Sequence, residues 1–245
     1  MSSHIERVTA DLRQRILNGE LAPGQHVREL EWAPILGVSR TPLRLALVEL
    51  EKQGLVETRG VRGGFHVRNV TMEEVVQAID VRGVLEGYAA RLVAEKGMSS
   101  AVRGVLADCV ALGWQLVDGA DARHEPVDGT AWVAMNARFH ATLVEAAGNP
   151  VMQQALAQVL RSPFADNTAI AIRSPQTNLE LSFLRRAQHD HEDVLQALTD
   201  REGGRAEALM REHARRSRDN KLRLASEASS TLAIDDLPRA LAARI

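Results

Sequence analysis

The chain has 245 residues, with 30 Lys and Arg against 32 Asp and Glu and a formal net charge of -2. This balance excludes a disordered chain and a long basic tail, so any nucleic-acid signal has to be local. The length exceeds that of a usual single domain and predicts two domains. One cysteine, Cys109, excludes an intrachain disulfide and fits a reducing cytoplasm. No stretch approaches the roughly 18 apolar residues of a membrane helix, so we expect a soluble, cytoplasmic protein.

The first part of the chain has the pattern of three helices and a hairpin. Apolar residues recur at helical spacing over 4–18, and a second short helix is predicted over 28–36. A third helix begins at Arg40, with Pro42 in its first turn, where a missing amide hydrogen costs little. Its predicted buried stripe is Leu43, Ala46, Leu47 and Leu50. The period then changes to that of two short strands, LVETR and FHVRN, around the glycine-rich turn GVRGG.

The rest of the chain has a helical pattern. A long helix is predicted over 72–96, with one face formed by Val81, Leu85, Tyr88 and Leu92. Further helices are predicted over 99–118, 130–147 and 150–161, and two more between 178 and 224.

These elements predict a mainly α protein with two domains. Residues 1–70 form an N-terminal winged helix-turn-helix, with three helices plus a two-stranded wing. Residues 71–224 form an all-α antiparallel helical bundle of six or seven helices. The sequence leaves the tail, 225–245, open between a frayed end and a short terminal helix.

The start of the third helix predicts a DNA contact. Arg40, Thr41 and Arg44 lie on the side of this helix that faces away from the leucine stripe. In a helix-turn-helix domain this part of the helix enters the major groove, where arginine makes bidentate bonds to guanine or pairs with phosphates. A solvated helix face is the alternative on charge pattern alone. The surrounding fold pattern favours DNA binding.

The tip of the hairpin predicts a second DNA contact. Arg59 and Arg62 supply positive charge, and glycines such as Gly63 let the backbone approach a phosphate closely or enter the minor groove. His66, just past the turn, is predicted to assist.

Three motifs in register resemble the N-terminal domain of GntR-family bacterial transcription regulators. They are the turn GELAPG, the helix start VSRTPLR and the wing RGGFHV. The resemblance implies that Arg40, Arg44 and the wing residues contact operator DNA. The chain departs from many relatives at Leu30, Pro34 and Leu45. The operator sequence of a relative therefore does not carry over.

Several histidines in the helical part raise the question of a metal site. Asn136 and His140 are four residues apart and share a helix face, and His213 lies on the apolar face of a later helix. A single histidine on an apolar face is more often a satisfied core residue than a ligand. Three imidazoles and an oxygen donor from separate helices, however, suit zinc, nickel or manganese.

The helical part resembles the FCD ligand-binding domain of the FadR branch of this family. Its motifs are NARFH, HEDVLQAL and MREH. The resemblance implies a divalent metal, most simply zinc, held by Asn136, His140, His191 and His213. The resemblance makes His191 the ligand rather than His189. His189 is then either exposed to solvent or in contact with a ligand residue without binding the metal itself. Asn136 replaces the usual aspartate and contributes no negative charge, so the affinity for a hard cation is expected to be lower.

Two further segments bear on a small-molecule effector. Arg82 and Glu86 match the R-x-x-L-E segment of these domains, which implies that Arg82 helps to hold an effector carboxylate; a helix-surface ion pair is the alternative. The segment RSPFADNTAI, 161–170, resembles VanR-like members, which include regulators of vanillate and related aromatic acid breakdown.

The sequence therefore predicts a homodimeric repressor that leaves a near-palindromic operator when a small carboxylic acid binds a metal-containing pocket. The alternatives are a metal-dependent hydrolase and a constitutive DNA-binding protein with a structural metal. No HExxH motif or paired nucleophile supports the hydrolase.

Overall fold

The computed structural model describes residues 2–17, 19–60, 64–160 and 177–231. The chain separates into two compact units. Among the described residues, the first consists of residues up to 75 together with 227–231, and the second consists of 76–160 and 177–226. Each unit has its own hydrophobic core.

The first unit is a three-helix domain with a small antiparallel sheet. Its elements are α1 (Ser2–Leu17), β1 (His26–Val27), α2 (Glu29–Ile35), α3 (Arg40–Lys52), β2 (Val56–Thr58) and β3 (Phe65–Val67). The strand order is β1-β3-β2, so the predicted two-stranded wing gains a third strand, β1, on its outer edge. This is the winged helix-turn-helix that the sequence predicts.

Helix α3 is the centre of the first core. The four residues of its predicted stripe are fully buried, and α1 packs on them through Val8 and Leu12. In β3, Phe65 and Val67 are buried while His66 between them points to the other side, as strand alternation requires. Burial of this face leaves the N-terminal arginines of α3 on the outer side of the domain.

The second unit contains only helices among its described residues. They are α4 (Met72–Lys96), α5 (Ser100–Arg123), α6 (Gly129–Ala147), α7 (Pro150–Val159), α8 (Thr177–Thr199) and α9 (Gly203–Thr231). The number agrees with the predicted six or seven. Helix α9 continues through Thr231, so the predicted tail begins as helix.

Helix starts in this unit have side-chain caps. At α4, Thr71 and Glu74 form a capping box, in which the Glu74 amide donates to the Thr71 hydroxyl and the Thr71 amide donates to the Glu74 carboxylate. Asp128 accepts two amide hydrogen bonds at the start of α6, and Asn149 accepts one before Pro150 at the start of α7. These caps explain why the breaks between helices were readable from the sequence.

The predicted apolar face of α4 is only partly buried. Leu85 and Leu92 pack against the core of the second unit, but Val81 and Tyr88 are 49% and 43% exposed, and the fully buried face includes Arg82 and Glu86. Two glycines on the inner side allow α9 to come close. A Cβ at Gly83 would lie 2.7 Å from the Cβ of Ala214, and one at Gly87 would lie 2.6 Å from Cγ of Arg211. Close helix packing at small residues therefore decides which face turns inward.

Helix α5 is the one described helix that is long and apolar enough to cross a membrane by length and composition. In the structure it packs against α6 and α8. Leu106, Cys109 and Val117 are buried in the core of the second unit, so its apolar residues have a place inside the bundle.

Candidate functional site

The first functional surface lies at the start of α3. Arg40 and Arg44, one helical turn apart, are 64% and 69% exposed, and Thr41 between them is also exposed. Because the opposite face of α3 is buried, these side chains project outward together. Sequence and structure agree on where these three residues lie.

A carboxylate that the sequence analysis did not single out lies beside these arginines. Glu29, at the start of α2, accepts hydrogen bonds from Nε and Nη2 of Arg40 at 3.4 and 3.5 Å, and its other oxygen is 3.9 Å from Nε of Arg44. Glu29 thus holds both guanidinium groups near each other before any ligand is present.

The same face is concave. A depression of about 550 Å³ is lined by Arg40 and Arg44, by residues at the start of α2 that include the exposed Leu30, and by Thr58 and Gly64 at the base of the wing. The start of α3 and the wing base therefore form one continuous surface. That continuity suits a duplex, which is contacted along its backbone and in a groove at once.

The wing residues are placed less completely. Nε of Arg59 donates to the Glu57 carboxylate at 2.8 Å on the exposed side of β2. His66 is half-buried and stacks on His26, with ring centroids 4.5 Å apart. Arg62 and Gly63 lie outside the described residues, so their predicted contacts stay predictions.

The second site is a cluster of three buried histidines inside the helical unit. His140 comes from α6, His191 from α8 and His213 from α9, and all three are at most 5% exposed. One ligand atom from each lies within 4.8 Å of the others. The structure thus brings together, from three separate helices, the three histidines that the FCD resemblance implies.

The histidines fit a metal ion by an observation independent of the resemblance. Both ring nitrogens of His140 and Nε2 of His191 are buried, and neither residue has a hydrogen-bond partner at these atoms within the described part of the chain. Buried polar atoms are nearly always satisfied, so such a group of imidazole nitrogens calls for a ligand. Imidazole nitrogens suit zinc and nickel in particular.

The protonation state of His191 and His213 is also compatible with metal binding. Burial, together with the neighbouring His213 and His140, lowers the pKa of His191 well below its ordinary value. Burial likewise lowers the pKa of His213, although Asp190 acts in the opposite direction. Both rings are therefore neutral at pH 7 and keep a lone pair for a metal.

Arg82 and Glu86 are buried at the same site rather than paired on the surface. Nε of Arg82 is 3.5 Å from Oε2 of Glu86, and that oxygen is 3.2 Å from Nδ1 of His140. Burial would raise the pKa of Glu86, but the charges of His140 and Arg82 lower it to about 2. The structure excludes the helix-surface alternative, and Glu86 faces a histidine.

Of the remaining residues, some are buried beside the histidine cluster and one is exposed. Asn136 is buried one turn before His140 on α6. His189 is exposed and makes an edge contact with Trp114, with ring centroids 4.7 Å apart. Asp190, which the sequence analysis did not single out, is 2% exposed and has Oδ2 3.4 Å from Nδ1 of His213.

Comparisons with known proteins show the family to which both parts of the chain belong. The family model "FCD domain" matches residues 77–216, more than half of the chain, and "Bacterial regulatory proteins, gntR family" matches residues 4–67. The second match contains Glu29, Arg40 and Arg44, and the first contains every residue of the histidine cluster.

Curated relatives match over part of their length. The chain is 30% identical over 148 residues to the HTH-type transcriptional regulator YdhC of Bacillus subtilis (strain 168), covering 60% of this chain and 62% of the relative. It is 35% identical over 142 residues to the "Probable D-xylose utilization operon transcriptional repressor" of Paenarthrobacter nicotinovorans, covering 57% of this chain and 58% of the relative. The matched stretches thus span less than two thirds of these relatives.

Among solved structures, E. coli McbR/YncC has the same fold. The TM-score is 0.64 at 20% sequence identity, and the match covers 93% of this chain and 99% of that chain. At this identity the likeness concerns the fold alone.

Proposed function

The chain belongs to the GntR family of bacterial regulators and carries an FCD domain, and on that premise we propose that it is a metabolite-responsive repressor. Proteins of this family are transcription regulators that bind operator DNA and typically dimerise; they are not enzymes. The hydrolase alternative is therefore set aside. In this proposal the protein acts in the cytoplasm and has no membrane partner.

The buried histidine cluster is the observation that carries the proposal. A close-packed core without a ligand would not leave the nitrogens of three buried imidazoles unsatisfied, whereas a metal-binding pocket accounts for them. His140, His191 and His213 would hold a divalent metal, with zinc as the first candidate, and Asn136 is the candidate oxygen donor. Bound there, the metal would supply a Lewis-acidic position for a carboxylate oxygen.

Arg82 favours an anionic effector. Its guanidinium is fully buried within the same constellation as Glu86 and His140, where a permanent positive charge attracts a carboxylate strongly. A small carboxylic acid is thus the proposed ligand class. Vanillate and related aromatic acids are the first candidates, on the resemblance of 161–170, a segment that lies outside the described residues.

DNA binding is proposed to use the exposed arginines of the first unit. Arg40, Thr41 and Arg44 would enter the major groove, while Arg59, Arg62, Gly63 and His66 would contact the backbone or minor groove. A dimer with one winged domain per half-site would read a near-palindrome. The exposed apolar side chains of α4, which are Val81, Val84 and Tyr88, support a second copy of the chain as a partner of the helical unit.

Regulation requires that the effector and the operator prefer different conformations of the protein. The acid would favour an arrangement of the two winged domains that no longer matches the half-sites. A second candidate is a constitutive DNA-binding protein whose metal is structural, and it predicts operator affinity that no acid changes.

The melting temperature of the zinc-loaded protein tests the effector class. Vanillate and lactate are each added at millimolar concentration, and a ligand at 100-fold excess over its dissociation constant stabilises the native state by about 2.7 kcal/mol. A rise with vanillate supports an aromatic acid, and a rise with lactate supports an aliphatic one. No rise with any small carboxylate, dicarboxylates and sugar acids included, contradicts the proposed effector class.

A further inference from the structure

We infer that Gln188 is a positioning residue that fixes the tautomer of His191, so that His191 presents Nε2 to the metal. The inference deepens the proposed function and rests on it. It assigns roles to Gln188, Gly113 and Asp190 that no motif suggests.

An oxygen atom lies near each of the three Nδ1 atoms, and among the described residues only the contact to Nδ1 of His191 has hydrogen-bond geometry. Nδ1 of His140 lies 3.2 Å from Oε2 of Glu86, and Nδ1 of His213 lies 3.4 Å from Oδ2 of Asp190. Nδ1 of His191 lies 3.5 Å from Oε1 of Gln188. A neutral imidazole with an acceptor at Nδ1 carries its proton there, so its lone pair is on Nε2. An oxygen partner on the far nitrogen is the usual support of a metal-binding histidine.

The orientation of the Gln188 amide follows from its other contact. Nε2 of Gln188 donates to the main-chain carbonyl of Val110 at 2.7 Å, and Gln188 is fully buried. A carbonyl only accepts, so the amide nitrogen has to face Val110 and the amide oxygen has to face His191. The Val110 carbonyl thus determines, through Gln188, which nitrogen of His191 bears the proton.

Gly113 provides the space for this amide. A Cβ at position 113 would overlap Oε1 of Gln188 and lie 2.5 Å from its Cδ. Gly113 is buried in the middle of α5, where glycine has a lower helix propensity than alanine and so costs stability. That cost has a structural reason here, because any larger residue would displace the Gln188 amide.

Asp190 is held in a similar way from the surface side. Its Oδ1 accepts from Nη1 of Arg216 at 2.6 Å and lies 3.0 Å from Nη2 of Arg186, which leaves Oδ2 facing His213. Glu86 and Asp190 therefore place two carboxylates next to the rings of His140 and His213. They supply the negative charge that Asn136, in place of an aspartate, does not.

Zinc affinity, measured by competition with a chromophoric chelator, tests the inference on the full-length protein. Gly113→Ala and Gln188→Leu are expected to bind zinc 10- to 100-fold more weakly, as loss of a partner behind a metal ligand does. Two matched controls are expected to keep wild-type affinity. Gly104→Ala is on the same helix with nothing within 4 Å of its Cβ, and Gln196→Leu removes an exposed glutamine of α8 that pairs with Asp200.

A second measurement reads the tautomer directly. Long-range ¹H–¹⁵N correlation spectra of the metal-free protein distinguish a proton on Nδ1 from one on Nε2. The expected result is that His191 carries it on Nδ1 in the wild type and that Gln188→Leu loses this preference. A proton on Nε2 of His191 in the wild type would overturn the inference, as would wild-type zinc affinity in both folded variants. Absence of zinc binding in the wild type would instead contradict the proposed metal site.

Discussion

The two units of this protein use charged and polar side chains in opposite ways. In the winged unit the arginines at the start of α3 are solvated, and Arg40 and Arg44 both lie beside a partly exposed carboxylate, Glu29. In the helical unit Arg82 and Glu86 are almost fully buried among histidines. An exposed charge costs little to keep and can meet a large polyanion, whereas a buried one needs partners on every side.

This difference suits the ligands that we propose for the two units. A DNA duplex contacts a wide surface, and its affinity falls with salt because counterions are released. A metal or small acid is enclosed, and its affinity depends on how well a few atoms are positioned beforehand. Changes in one unit should therefore leave binding by the other largely intact, and the predictions below use that separation.

The largest effect is expected from loss of one histidine. His213→Ala removes one of three nitrogens, so zinc affinity should fall by more than the roughly 100-fold that follows loss of an outer partner. DNA binding by the first unit should remain. Chelator competition and DNA anisotropy measure the two properties, with the exposed His189→Ala as a control. Wild-type zinc affinity in His213→Ala would show that the cluster is not the metal site.

The metal-free protein should lose stability in weak acid. Burial lowers the pKa of His191 and His213 below the ordinary 6.5, so the unfolded chain binds protons that the folded chain does not. Stability is unaffected by these groups above pH 6.5 and falls below it, by up to about 1.4 kcal/mol per pH unit for each histidine. The pKa of Glu86, lowered from 4.5 to about 2, acts only below pH 4.5. Urea unfolding in EDTA between pH 7 and 5 isolates the histidines, and a flat profile there would contradict their buried neutral state.

An arginine of the winged unit should matter only for DNA. Arg44→Ala is expected to weaken binding to a selected duplex by about 1–3 kcal/mol, the usual value of one arginine contact to a base. Zinc affinity should not change. Lys52→Ala, an exposed cation at the other end of the same helix, is the matched control. Equal binding by Arg44→Ala and the wild type would mean that another surface meets the DNA.

The smallest effect concerns the wing. Gly64 has φ +68°, and a Cβ there would overlap Nε2 of His26, whereas Gly60 has φ +67° and open space around it. Both alanine variants bear the left-handed backbone cost of roughly 1–2 kcal/mol, and only Gly64→Ala adds the collision. In urea, the free energy of unfolding should be lower for Gly64→Ala than for Gly60→Ala. Identical values would show that the His26 ring moves aside freely.

Local patterns made much of this architecture predictable. The α3 stripe and the strand alternation each depend on neighbours in the sequence, and the three clustered histidines lie in motifs that resemble the FCD domain. The inner face of α4 was not predictable from the sequence. Gly83 and Gly87 are needed because α9 packs closely against them, and this contact forms only in the folded protein. Gln188 shares a helix face with His191, so its spacing was visible, but the Val110 carbonyl that orients it is 78 residues away in sequence. Glu29 similarly meets Arg40 and Arg44 only after folding.

The affinity of the zinc-loaded protein for a duplex selected from random-sequence DNA is the most direct test of the central claim. Fluorescence anisotropy would be recorded without ligand and with millimolar vanillate, lactate or succinate, on the wild type and on His213→Ala. The account predicts that a carboxylate releases the duplex from the wild type and has no effect on His213→Ala. A duplex that binds the wild type equally tightly with every acid would contradict a sensing role and leave the metal with a structural one.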